Sequence, residues 1–138
     1  VYLATRFANH DRRIPIPGFD AYGVGACDAA PCPALRAAMG FKDGVVSTGN
    51  SLDAPDVDVG CLAANDASVK EMEAAGVAHV AAMFGVPFLA VKAITDIVDG
   101  DKPTQDEFME NLGAAAKALQ GAVPKVLEFL VGKPIAEL

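Results

Sequence analysis

Between Asp66 and Thr95 the chain changes its hydrophobic period, and no other feature restricts its fold as much. Val69, Met72, Gly76, Val80 and Met83 recur at three- and four-residue steps behind Asp66, a good N-cap, which predicts a helix over 66–84 that stops at Gly85. Val86-Pro87 then opens the apolar run FLAVKAIT, interrupted only by Lys92. A helix feeding such a run is the α-to-β half of a doubly wound unit, so this strand is expected to be central, parallel and covered on both faces.

The flanking sequence fits one α/β domain of 138 residues. Val1 to Ala8 is rich in strand formers, whereas the prolines and glycines of His10 to Gly25 predict an extended loop. Pro33 to Met39 predicts a helical turn with Pro first and Gly40 just past its end. A second strand is expected at Asp43 to Ser47, followed by the polar loop Thr48 to Ser51. Thr104 and Glu107 have the spacing of a capping box. The helix they start would carry an apolar stripe through Phe108, Leu112, Ala115, Leu119, Val123, Val126 and Leu130, kinked or split at Pro124.

Charge removes whole classes of function. A net charge of −7 and a pI near 4.6, with Asp11-Arg12-Arg13 as the only compact basic run, leave no surface for nucleic-acid phosphates. No apolar run approaches the roughly 20 residues of a membrane span. A small molecule or a protein is the better partner. Cys27, Cys32 and Cys61 are odd in number and sit at no metal-ligand spacing with each other or with His10 and His79. They read as free thiols in a reducing compartment, which points to the cytoplasm and leaves a plastid open. The chain begins at Val1, without an initiator Met, and is expected to be a piece of something longer.

Two carboxylates stand out. On the predicted helix Glu73 shares the stripe of Val69, Gly76 and Val80, and a carboxylate among apolar neighbours requires a partner, whereas Glu71 points elsewhere. Either Glu73 serves a site or it pairs at the stripe's edge with a Lys or Arg. Asp96 ends the apolar strand, where open parallel sheets bind ligands, although an Asp at that place can equally serve a turn or a helix cap. Together they suggest a division of roles, one carboxyl kept protonated and the other ionised to bind hydroxyls.

HDRRIPIPGFDAYGVG (10–25), VSTGNSLD (46–53), ANDASVKEMEAAGVAHVA (64–81) and KAITDIVDGDKPTQDEFMENL (92–112) resemble, in order, segments of 5′-methylthioadenosine/S-adenosylhomocysteine nucleosidases, particularly plant-type ones. The resemblance implies the nucleoside phosphorylase-like fold, a three-layer α/β/α sandwich around a mixed sheet, and a homodimer. It implies hydrolysis of the N-glycosidic bond of a nucleoside with release of adenine, in methionine salvage, without metal or cofactor. It further implies that Met72 packs on the ribose, that Glu73 binds the ribose hydroxyls, and that Asp96, paired with Thr95, protonates N7 of the leaving base. Ser51, Leu52 and Asp53 would face the adenine, with Asn50 standing where the family usually has Asp. Ile14, Pro17 and Phe19 would close the 5′-alkylthio pocket of a neighbouring subunit.

The same resemblance implies an N-terminal portion that supplies the first strands and the Glu that activates water, and these 138 residues do not contain it. Two other readings remain at this point. A phosphorolytic relative would need anion sites, but the loop after Asp96 offers only Lys102, and the chain has no Arg after Arg36. A non-catalytic storage or structural relative would share the fold without the chemistry.

Overall fold

The computed structural model describes residues 1–138. Its central strand is β1 (Tyr2–Asn9), which is buried on both faces because Leu3 and Ala4 point to opposite sides. A register shift between Ala4 and Arg6 changes the alternation, so Phe7 joins the face of Ala4 rather than that of Leu3. On one side β1 pairs in parallel with β3 (Lys42–Thr48), and β4 (Ala67–Glu71) lies parallel beyond β3. The other side of β1 is shared. β2 (Cys27–Asp28) takes Arg6 and Phe7, and β5 (Val91–Lys92) takes Tyr2 and Leu3, both antiparallel.

This arrangement corrects the expectation for the run after Pro87. Only Val91 and Lys92 enter the ladder, and they run antiparallel beside β1 rather than parallel in the sheet's centre. The apolar character is real but has another cause. Phe88 packs against Phe7 with ring centroids 5.0 Å apart, and Leu89 and Val91 pack on the opposite cluster.

Helices cover both faces. α4 (Ala74–Met83) lays Ala74, Ala75 and Ala78 on Ala4, Phe7, Val46 and Val69. On the other face α2 (Pro33–Met39) and α5 (Thr104–Leu130) enclose Leu3, Cys32, Leu35 and Val126. Three layers around a mixed sheet result, as expected. α2 matches its prediction, with Gly40 at φ 60°, the left-handed value that a helix end favours in glycine.

Four further expectations need correction. No helix begins at Asp66: a helix missed in the sequence, α3 (Asp56–Ala64), ends just before it. Asp66 then adopts φ 53°, which Asp tolerates better than most residues, and the chain leaves as β4. The 10–25 segment contains the short helix α1 (Asp20–Val24). Thr104 is the first residue of α5 and not its cap, while Glu107 accepts the Ile97 N–H. Pro124 does not split α5, which runs on through it with Pro124 on the exposed side.

The side of α4 that was expected to face the core faces outward. Val80 and Met83 are exposed, with Val77 and Phe84 beside them. Alanines meet the sheet instead because their small side chains let the helix approach it closely, leaving the bulky apolar residues without cover in this chain.

Candidate active site

A cleft of about 820 Å³ runs along β4 and is closed on one side by Leu52 and by Val59 and Leu62 of α3. Residues 92–99 and Phe108 of α5 form the other side. The cleft brings together five residues that the sequence singled out: Leu52, Met72, Glu73, Thr95 and Asp96. Ser51 and Asp53 stand exposed beside Leu52 without lining it. Ile14, Pro17 and Phe19 lie on the 10–25 segment and do not line this chain's cleft.

Glu73 occupies a different setting from the one its helix phase suggested. It is the N-cap residue of α4, exposed at the lip of the cleft, and its carboxylate makes no hydrogen bond within the chain. The acid whose side chain is buried at this cleft is Glu71. The last residue of β4, it turns its carboxylate back beneath the start of α4, accepting the Glu73 N–H at 3.1 Å and the Ala74 N–H at 2.9 Å. The Thr48 hydroxyl accepts the Ala75 N–H at 2.8 Å and donates to the same carboxylate. Lys92 Nζ completes the set at 2.9 Å.

The amino end of α4 is thus satisfied from β3 and β4 rather than by its own N-cap side chain, with Lys92 of β5 balancing the carboxylate. Burial alone would raise the Glu71 pKa, but the bonds from Thr48, Lys92 and Ala74 outweigh it and hold the carboxyl below its ordinary value. Sequence reasoning dismissed Glu71 because a helix was drawn through it. A strand ending two residues before a helix was the signal that would have found it.

Thr95 and Asp96 form a small unit at the opposite wall. The Thr95 hydroxyl donates to Asp96 Oδ1 at 2.5 Å, and the second carboxylate oxygen has no partner in the chain. The segment hangs from α5, through Asn111 Nδ2 to the Thr95 carbonyl at 2.8 Å and through Glu107 to the Ile97 N–H at 2.8 Å. A carboxyl with one oxygen oriented and the other open to a cleft is equipped to pass a proton to a bound base.

Three lysines line the cleft, and two of them are held by hydrogen bonds. Lys92 holds Glu71, and Lys42 lies 5.7 Å from the centre of the Tyr2 ring. Lys70 donates to the carbonyls of Ser51 at 2.5 Å and Leu52 at 3.0 Å. Lys102, the one cation past Asp96 that the sequence offered close by, pairs with Glu110 outside the cleft. Asn50, which replaces the resembled family's usual Asp, has a local explanation. Its N–H and its side-chain amide both donate to Asp11 Oδ2, at 2.6 and 2.8 Å, a contact that a carboxylate at position 50 would turn into repulsion.

Comparison with known proteins gives the same neighbourhood for the whole chain. A family model described as the phosphorylase superfamily matches residues 1–128. The chain is 46% identical to a 5′-methylthioadenosine/S-adenosylhomocysteine nucleosidase of Arabidopsis thaliana, over all of this chain and 54% of that protein. It superposes on the apo structure of Arabidopsis thaliana 5′-methylthioadenosine nucleosidase with a TM-score of 0.96 at 46% identity, covering 99% of this chain and 56% of that one. The Helicobacter pylori 5′-methylthioadenosine/S-adenosylhomocysteine nucleosidase shares the fold at a TM-score of 0.76 and 24% identity, over 94% of this chain and 60% of that one. The chain spans about half the length of the curated relatives it matches.

Proposed function

The chain belongs to the phosphorylase superfamily, and on that premise we propose that it carries the ribose- and base-binding half of a nucleosidase that hydrolyses 5′-methylthioadenosine and releases adenine. The observation that carries this reading is the single cleft in which Met72 and Glu73 face Thr95 and Asp96, with Leu52 beside them. Glu73, with no partner of its own, accepts the ribose hydroxyls, and Met72 packs on the sugar. Asp96, steadied by Thr95, gives its proton to the departing base, so that adenine leaves as a neutral group.

Water rather than phosphate is the second substrate. Two of the three lysines of the cleft are already held, Lys92 by a carboxylate and Lys70 by a pair of carbonyls, and no arginine lines it, so a phosphate would find only the exposed Lys42. The working enzyme is a homodimer of a reducing compartment, the cytoplasm or a plastid. The uncovered face of Val77, Val80, Met83 and Phe84 supports association, and three free thiols support the compartment. In the partner's pocket Ile14, Pro17 and Phe19 cover the 5′ substituent.

The test is adenine release from 5′-methylthioadenosine by the full-length protein with and without phosphate. Release in both conditions is expected. Strict dependence on phosphate would overturn the hydrolytic reading.

A further inference from the structure

The segment Gly49–Leu52 leaves β3 and carries the Leu52 side chain into the cleft, and three neighbours fix its path. His10 lies against Gly49 so closely that a Cβ there would come within 2.1 Å of the imidazole Nε2. Asp11 holds Asn50 through two hydrogen bonds. Lys70, reaching across from β4, holds the next two carbonyls, those of Ser51 and Leu52. Of the three, only Lys70 also lines the cleft.

We propose that Lys70 is a positioning residue for this site, one that sets the Leu52 wall against which the flat base of the substrate is gripped. The assignment rests on the nucleosidase reading for the identity of that base. The geometry explains why a lysine is needed. Two carbonyls in series present converging lone pairs with no N–H of the chain to meet them, and a tetrahedral ammonium with three donors can serve both at once. A neutral side chain of similar length would leave both carbonyls to water and the segment without its tie to β4.

Opposing influences act on the ammonium at this position. Burial pulls the Lys70 pKa below its ordinary value, while Asp96, Asp53, Asp58 and Asp11 oppose that pull. Asp96 and Lys70 therefore share one electrostatic environment from opposite walls. Lys70 nevertheless acts through Leu52 and makes no bond to Asp96.

Lys70→Met keeps the aliphatic stem and removes the donors. In the full-length protein it should raise KM for 5′-methylthioadenosine about tenfold, the scale of losing charge-assisted hydrogen bonds, with kcat falling by less than about threefold. Lys70→Arg, which restores the donors, should recover most of the loss. Hydrogen exchange supplies a readout that needs no turnover. The Gly49 N–H, bonded to the Glu71 carbonyl at 3.0 Å, and the Asn50 N–H should exchange faster in Lys70→Met while the global unfolding midpoint stays within a degree or so.

A KM within twofold of wild type, or a loss carried mainly by kcat, would overturn the assignment. Should the wild-type protein release no adenine, the nucleosidase reading fails by itself. The exchange measurement then still decides whether Lys70 holds the wall, and unchanged exchange at both amides removes that role as well.

Discussion

Glu71 and Asp96 line the same cleft, yet the structure around them is tied down very differently. The carboxylate of Glu71 receives donors from β3, from β5 and from the start of α4, and it is almost fully enclosed. Asp96 has one hydroxyl partner, and its segment touches the rest of the fold mainly through two side chains of α5. The first region is arranged before any ligand arrives. The second keeps an oxygen free, which a group that must give up a proton requires. In the proposed reaction, binding geometry and proton transfer would therefore fall to walls held by unequal numbers of bonds.

Exchanging the chemical wall's acid should have the largest effect. Asp96→Asn in the full-length protein is expected to slow adenine release by about 10²- to 10⁴-fold, the usual contribution of a general acid, with little change in urea unfolding. A fall in stability in step with the rate would erase the distinction between the walls. At the rigid wall the expectation is reversed. Glu71→Ala leaves Lys92 and the amino end of α4 unpaired and should cost about 3 kcal/mol in urea unfolding, at the low end for a broken buried pair because Lys92 is partly exposed. A cost below about 1 kcal/mol would show that the network is incidental.

Acid sharpens the same contrast. The folded-state pKa of Glu71 lies below its ordinary 4.5, so its contribution is complete above that value and disappears as pH falls through the lower, folded-state one. His10 adds to the effect from a higher pH. Burial and the charge of Lys70 favour its neutral form, so below the ordinary 6.5 the unfolded chain takes up a proton that the folded chain resists. Stability should therefore begin to decline below about pH 6.5 and fall more steeply below about 4.5, and His10→Gln should remove only the first phase. A profile flat from pH 7 down to about 3 would contradict both assignments. The smallest effect belongs to the loose wall: Asn111→Ala should cost about 1 kcal/mol or less in stability while measurably lowering kcat, because it frees the Thr95 carbonyl. Equal losses for Asn111→Ala and Glu71→Ala would mean that the two walls are alike.

How much of this was legible in sequence depended on whether an element is decided locally. α2 was, since Pro33 at its start and Gly40 past its end act within one turn. β4 was not. Its residues become a strand by pairing with β3, about twenty positions earlier, and the left-handed turn at Asp66 leaves no mark in hydrophobic period. The helical spacing of Val69 to Met83 therefore joined a strand, a turn and a helix into one element.

The site residues were found by resemblance more than by phase. Glu73 was singled out for a burial that it does not have, while the truly buried Glu71 was set aside. The polar ties that shape the cleft, from Asp11 to Asn50 and from Lys70 to the Ser51 carbonyl, join residues that sequence alone gives no reason to connect.

The way Glu71 sits beneath α4 has a consequence for selectivity. The amino end of a helix is a ready receptor for phosphate, and here the chain's own carboxylate occupies that place. A nucleotide entering the cleft would bring a second negative group to a position already filled, with Lys70 and Lys92 both engaged elsewhere. Uncharged nucleosides meet no such obstacle, so for the nucleosidase proposed above the buried carboxylate would disfavour adenosine derivatives that carry a phosphate.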